Sequence, residues 1–257
     1  MTKISIITPV LNGEKYLRAT VDSVLGQTGD FELEYLVRDG GSTDSTLAIL
    51  KEYASRLQVV SERDGSPTAA INAGMKMATG DIVAWLNADD VYEPGALQQV
   101  VTAFARHPKR HWAYGYCSIM DENGQEMRGW VTTYKSVLGY WYSRNLLLCE
   151  NYVNQPATFW RRALWAQAGD LDCGYKAAFD YQQWLRFARL SRAIPIHARL
   201  ARFRRHPGSI SENQFARQFD EELAIARQFG NPLHVAIHWM NRWKIVWSYR
   251  LLTRLGR

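Results

Sequence analysis

The sequence is poor in the residues that make covalent staples and membrane anchors. Its 257 residues include three cysteines, Cys117, Cys149 and Cys173, which stand far apart with no CxxC pair. That argues against a disulfide framework or a cysteine zinc site and fits a reducing compartment. No stretch approaches the roughly 20 apolar residues of a membrane-spanning helix, and no repeat or low-complexity tract is visible. Met1-Thr2-Lys3 leads straight into the apolar run Ile4 to Leu11, without the basic region and small-residue cleavage site of a secretory leader. A cytoplasmic location is therefore expected, with attachment to the cytoplasmic face of a membrane as a variant of it. No GxGxxG follows the first apolar run, which argues against a dinucleotide oxidoreductase. TPVLNGEKYL also lacks the Gly-rich, cation-bearing phosphate loop usual in nucleotidyl transfer. After Glu222 there is no acidic residue at all, while Arg227, Arg242, Lys244, Arg250, Arg254 and Arg257 follow.

What is present suits one large α/β domain, alone or with a C-terminal extension: 47% of residues are hydrophobic and 22% charged, a globular composition. The net charge of +6 leaves nucleic acid, an anionic membrane or a phosphorylated ligand open as partners. Its distribution decides between them. A nucleic-acid binder would spread cations and aromatics over one binding face, whereas here the acidic motifs cluster and the cations collect in the tail. No nucleic-acid partner is expected.

Four early segments read as strands. ISIITPV (4–10) and DIVAWLN (81–87) are nearly continuous apolar runs, as for strands covered on both faces, while ELEYLVRD (32–39) and LQVVSE (57–62) are more mixed. Leu17, Val21, Val24 and Leu25 give one apolar helical face, and Leu47, Leu50 and Tyr53 a second. Ser42-Thr43-Asp44 supplies N-cap chemistry for the second helix. Ser66-Pro67 opens a third, and Pro94 marks a fourth. Alternation over 1–107 predicts a doubly wound, mostly parallel sheet with ligands beyond the carboxyl ends of its strands. From residue 110 the pattern becomes mixed: a β-hairpin of HWAYGYCSIM and QEMRGWV about the turn DENG, helices at 134–147, 161–168 and 179–191, a strand near 193–204, and helices from about 213. The expected layout is a catalytic domain over 1–212, with a nucleotide-binding half to about 110 and an acceptor half over 111–212, then a basic, Trp-rich helical extension over 213–257.

Two acidic motifs fall where such a sheet binds ligands. VRDGGSTDST puts Asp39 at the end of the second strand, and LNADD puts Asp89 and Asp90 at the end of the fourth. Taken singly, Asp39 could merely open a Gly-Gly turn, and the Asp pair could merely solvate a strand end. Together they point to a shared crevice, and two adjacent like charges are relieved by a hard divalent cation, Mg2+ or Mn2+, which commonly arrives with phosphate oxygens.

ITPVLNGEKYL, DGGSTDST, SERDG, INAGMKMATGDIVAWLNADD, NQPATFWRRALWAQAGDLD, FDYQQWLRFAR and FRRHPGSIS, in this order, resemble family 2 glycosyltransferases of the GT-A fold over roughly residues 4–212. The resemblance implies transfer of a sugar from a nucleotide diphosphosugar with inversion and with help from a divalent metal. It implies that Thr8 and Pro9 line the nucleotide pocket, that Asp39 accepts a hydrogen bond from the base, and that Asp64 contributes on the donor side. LNADD occupies the place of the DxD motif with Asn87 at its first position, so Asp89 becomes the metal and diphosphate contact, with Asp90 beside it. Asp180, in KAAFDYQQWLRFAR, falls at the catalytic-base position. From the residues alone it reads more readily as an N-cap placed directly before a helix whose apolar face is Trp184, Leu185 and Ala188, with Gln182, Gln183, Arg186 and Arg189 elsewhere. His206, flanked by Arg204 and Arg205, matches a position near the diphosphate, and Gln155 and Pro156 a segment facing the acceptor. Ala69 and Ala73 stand where many relatives carry Asp and Lys, so donor preference is not inherited. The implied acceptor is a saccharide or lipid-linked saccharide of a cell-surface or exopolysaccharide pathway. The other classes left open are a membrane-associated scaffold or nucleotide-sugar-binding protein, and nucleotidyl transfer.

The tail LHVAIHWMNRWKIVWSYRLLTRLGR (233–257) mixes aromatics with scattered cations. It reads either as an interfacial helix giving peripheral membrane contact or as a helix packed on the domain.

Overall fold

A computed structural model describes residues 1–208, 215–241 and 243. The 212/213 boundary, the helix start near 213, residues 209–211 of FRRHPGSIS and the tail from 244 onward lie outside the described residues.

The long apolar runs form the centre of one sheet. The strands are β1 (Thr2–Val10), β2 (Phe31–Asp39), β3 (Gln58–Ser61), β4 (Ile82–Trp85), β5 (Val91–Tyr92), β6 (Trp112–Met120), β7 (Glu126–Met127), β8 (Thr158–Arg161) and β9 (Ala193–Arg204). Their spatial order is β3-β2-β1-β4-β8-β6-β9-β5, with β7 on β6. β1, β2, β3 and β4 pair in parallel. β8 is antiparallel to both β4 and β6, and β9 is parallel to β6. The expected parallel half joined to a mixed half is thus a single continuous sheet.

Helices α1 (Leu17–Leu25), α2 (Thr46–Glu52), α3 (Pro67–Met77), α4 (Ala96–Arg106), α5 (Gly129–Leu138), α6 (Arg144–Cys149), α7 (Arg162–Ala168), α8 (Phe179–Leu190) and α9 (Phe215–Phe229) pack around it, and a further helix, α10, covers 232–241. The cap at Ser66 forms as expected, its hydroxyl accepting the Ala69 N–H at 3.1 Å, with Pro67 at the first helical position. At α2, Asp44 accepts the Thr46 N–H at 2.9 Å. Leu47, expected in the core, is exposed, and Thr46 is buried instead, its hydroxyl accepting the Gly13 N–H at 2.9 Å.

Three expectations for the second half are corrected. The helix over 134–147 is two helices, because the chain is interrupted at Gly139, where a Cβ would meet the Tyr114 and Tyr152 rings at 3.2 Å, and restarts at Ser143, whose hydroxyl accepts the Leu146 N–H. The second hairpin strand shrinks to Glu126–Met127, because Arg128 turns left-handed at φ 52° and α5 begins at once. Gln182 and Gln183, expected off the apolar face of α8, are buried; the Gln183 amide donates to Gly169 O at 3.0 Å.

The core is centred on tryptophans. Trp85, Trp112, Trp160 and Trp184 are all fully buried. Trp184 of α8 stacks on Trp85 at 5.6 Å and on Trp112 at 6.2 Å, and tilts against Trp160 at 5.7 Å. One helix is thereby fixed to strands of both halves. Trp184→Ala is expected to cost about 3–5 kcal/mol, read as a lower urea midpoint with an unchanged native circular dichroism spectrum.

Candidate active site

A cleft of about 1230 Å³ opens beyond the carboxyl ends of the central strands, where a doubly wound sheet places its ligands. The parallel half lines it with Pro9, Gly13, Tyr16, Asp64 and Asp89, and the mixed half with Tyr134, Glu150, Gln155 and Asp180.

The chain turns sharply after β4, with the Asp90 N–H donating to Asn87 O at 3.2 Å, and this turn sends the two carboxylates in different directions. Asp90 points inward and is fully buried. It accepts the Arg204 backbone N–H at 2.9 Å and the Asn87 amide at 3.3 Å. Burial, and then the charge of Asp89, push its carboxyl well above the usual range. Asp89 points outward into the cleft and meets His206, Oδ2 to Nε2, at 3.0 Å. His206 Nδ1 accepts the Gly208 N–H at 3.2 Å, so the ring proton sits on Nε2 and is donated to Asp89. The adjacent charges are therefore relieved chiefly by separation, and Asp90 is not among the residues that line the cleft.

The other residues singled out in the sequence divide in the same way. Pro9 and Asp64 line the cleft, whereas Thr8 and Asp39 do not. Thr8 is fully buried and bonds the Tyr35 hydroxyl at 3.0 Å. Asp39 is fully buried as well, its carboxylate accepting the Gly41 and Ser42 N–H groups and the Ser61 hydroxyl, so it fastens the Gly-Gly turn. Asp64 accepts from Arg38 at 2.6 Å through Oδ1, and its buried Oδ2 has no partner among the described residues. Gln155 lines the cleft while its amide donates to Trp85 O at 2.7 Å and its oxygen accepts from Asn87 at 3.2 Å. Arg204 lies outside the cleft lining: its guanidinium donates to the carbonyls of Asp89, Asp121 and Glu122 and rests over the Tyr16 ring at 4.7 Å. It holds the Asp89 backbone in place rather than facing a ligand.

Asp180 sits inside the first turn of α8, not before it; Ala178 occupies the cap position. Its side chain stands four residues before Trp184, on the same helix face, so the tryptophan core aims it. Half-buried against the cleft wall, its carboxyl is pushed up to about 7, chiefly by burial; the Glu222 charge adds to the rise, while the Tyr181 N–H and Lys135 oppose it. Burial likewise raises Glu150, whose carboxylate accepts the Tyr134 hydroxyl at 2.8 Å.

Several contributors were not singled out in the sequence. Tyr16, inside a quoted motif, packs on His206 with ring centroids 4.8 Å apart. Glu222 of α9 lines the cleft and accepts from Asn151 and Gln218 at 3.2 and 3.1 Å. Its neighbour Glu221 accepts the N–H groups of Lys176, Ala177 and Ala178, clamping the start of α8 just ahead of Asp180. The signal for this pair was its place as the last acids before the acid-free tail.

The described residues contain no group of three or more His, Cys, Asp or Glu side chains able to hold a metal, and none of the described helices is long and apolar enough to cross a membrane.

Comparisons with known proteins bear on the fold and the family. A "PGL/p-HBAD biosynthesis glycosyltransferase" of Mycobacterium bovis is 29% identical over 258 residues, covering 97% of this chain and 94% of that protein. Among solved structures, the mannosyltransferase PcManGT from Pyrobaculum calidifontis, in complex with GDP-Man and Mn2+, superposes with a TM-score of 0.70 at 19% identity over 94% of this chain and 69% of that one. TarS 1-349 of S. aureus in complex with UDP-GlcNAc gives 0.67 at 19% identity over 87% of this chain and 66% of that one, and this chain spans 39% of a longer TarS chain. These structural likenesses establish the fold, an α/β GT-A architecture. The family model for glycosyl transferase family 2 matches residues 5–164, more than half of the sequence, and the chain belongs to that family.

Proposed function

We propose that the protein is an inverting glycosyltransferase moving a sugar from a nucleotide diphosphosugar to a hydroxyl of a saccharide or lipid-linked saccharide acceptor, in the synthesis of a cell-surface or exopolysaccharide. The observation that carries this reading is one cleft in which Asp89 of the parallel half meets His206 of the mixed half, and the mixed half also presents Asp180 with its carboxyl raised to about 7. A base of that acidity is half ionised near neutrality, where general-base catalysis is most effective. Asp180 takes the proton from the acceptor hydroxyl as it attacks the anomeric carbon on the face opposite the leaving diphosphate. The sugar nucleotides bound by PcManGT and TarS support a donor of this class.

Asp89 and His206 fit a divalent ion that travels with its substrate. Asp89 would hold such an ion through its carboxylate, and His206 Nε2, 3.0 Å away and now donating to Asp89, would join it only by passing its proton to Nδ1, a donor set compatible with Mg2+ and more so with Mn2+. When bound there, such an ion offsets the negative charge developing on the leaving diphosphate. His206 and Tyr16 close this end of the cleft, and Arg204 keeps the Asp89 backbone from shifting.

The tail supports a peripheral membrane contact at the cytoplasmic face. α10 is anchored by His238 and Asn241, which bond Leu148 O and Cys149 O at 3.2 Å, while Leu233, Trp239, Met240 and Trp243 stay exposed. One face packs on the domain and the other is left for an interface.

The stereochemistry tests the reading without knowledge of the acceptor. With water as a slow acceptor, the sugar first released is expected to show the anomeric configuration opposite to that of the donor by time-resolved proton NMR. Release with retained configuration would reject inversion with Asp180 as base.

A further inference from the structure

The unusual surface of this molecule is the one around α5 and α6. None of the α5 side chains is buried, and Trp130, Tyr134 and Val137 recur at helical spacing along it, continued by Trp141 in the following loop. Their exposures are 50%, 43%, 69% and 75%. Trp130 and Tyr134 also line the cleft, so this apolar stripe begins at the cleft mouth and runs away from it.

At the cleft mouth Glu150 accepts the Tyr134 hydroxyl, but beyond it the charges beside the stripe are cations. Tyr142 packs edge-on against Trp112 at 5.7 Å and Trp112 pairs with Ala193, so Arg110, Arg144 and Arg192, on three separate elements, are placed about the start of β6. The Arg144 Nε and the Tyr142 hydroxyl, both buried, find no hydrogen-bond partner among the described residues. The described segments that build this face, 94–120, 127–149 and 181–208, contain no Asp or Glu, with Glu126 and Glu150 bounding the middle one. Across α6, only about 9 Å long at 1.5 Å per residue, Trp239 of α10 and Trp243 beyond it are exposed, with ring centroids 5.9 Å apart.

A water-facing helix rarely has no buried side and an exposed Trp130, Tyr134 and Val137, with a further exposed tryptophan, Trp141, just beyond it. Tryptophan with cations and no acids is the chemistry of the boundary between headgroup and acyl chain. A nucleic-acid surface would need the cations, but gains nothing from an apolar stripe that includes Val137. We propose that the face formed by α5, the 139–143 loop and α6, through Trp130, Trp141, Arg110, Arg144 and Arg192, docks on an anionic lipid bilayer. This surface adjoins α10 without needing it and brings the cleft mouth down to the membrane. Delivery of a lipid-linked acceptor through that mouth rests on the transfer reading, whereas docking itself does not.

The test is vesicle flotation of the full chain with phosphatidylcholine vesicles, with and without phosphatidylglycerol, beside donor binding measured on the same samples. Partition onto the anionic vesicles is expected, weakening with salt. At about fivefold per cation near such a surface, Arg192→Glu, which reverses a charge, is expected to lower it about thirtyfold. Trp141→Ser is expected to lower it roughly tenfold. Lys51→Glu, on α2 at the far end of the sheet, is expected to leave it unchanged, and none of the three should alter donor binding. An equal loss in Lys51→Glu would reduce the effect to net charge and overturn the proposal. So would failure to float, or binding to duplex DNA without binding to vesicles. Donor binding that persists in a chain that does not float would reject docking and leave the transfer reading intact.

Discussion

Asp180→Asn is expected to lower the transfer rate by roughly 10³-fold, within the 10²- to 10⁴-fold range of a lost general base, with donor affinity kept within a few-fold. Asn preserves the shape of the side chain and can still accept the Tyr181 N–H now held at 2.7 Å, so the loss falls on proton transfer rather than on folding. The wild-type rate is expected to rise with pH up to about 7, dropping about tenfold per unit well below that, because the carboxyl must be ionised to act and its value lies at about 7.

Stability runs the opposite way. The folded carboxyl holds its proton up to about 7, against an ordinary value of 3.8, so between these values the native state binds a proton that the unfolded chain has released. The contribution is complete below the ordinary value and is lost as pH rises through about 7. Above pH 7 the Asn variant is therefore expected to melt no lower than the wild type, and a clear fall in its melting temperature there would contradict the placement of Asp180 against the cleft wall. Function thus asks for the ionised form that burial disfavours.

Asp89→Ala is expected to reduce kcat/KM by about 10²- to 10³-fold, the usual cost of removing one group that meets developing charge. The two variants should differ in kind. Asp180→Asn keeps a donor affinity that responds to added Mn2+, whereas Asp89→Ala loses that response, because the lost carboxylate also leaves His206 without its partner at 3.0 Å. Isothermal titration with a nonhydrolysable donor, with and without Mn2+, separates them. Retention of the full metal response in Asp89→Ala would remove Asp89 from the ion's surroundings.

The parallel half was legible because its signals are local and redundant. Ile4–Val10 and Ile82–Trp85 are covered on both faces and so read as unbroken apolar runs, and Ser66-Pro67 caps a helix within three residues. Residues beyond strand ends were harder. The two-residue alternation that assigns side chains to faces ends where the backbone turns at Asn87, so adjacent Asp89 and Asp90 looked equivalent although one is buried and the other lines the cleft. Asp39 and Arg204 bear charges that suggest ligands, yet most of their partners are backbone groups that no side-chain pattern reveals. Gln182 and Gln183 are buried, Gln183 through a bond to Gly169 O before the helix, and periodicity weights polar residues against burial. Glu221 and Glu222 act across about 40 residues on the start of α8, a contact that only the closed fold creates.

The central claim is that one cleft holds a sugar-nucleotide site at Asp89 and a base at Asp180. The direct measurement is release of nucleoside diphosphate from a panel of UDP-, dTDP- and GDP-sugars with Mn2+ or Mg2+, by the wild type, Asp180→Asn and Asp89→Ala in parallel. The account predicts turnover of one donor that stops on chelation, with Asp180→Asn binding that donor under metal but not turning it over, and Asp89→Ala failing at both. Asp180→Asn turnover equal to that of the wild type, or a wild type that neither binds nor cleaves any donor of the panel, would contradict it.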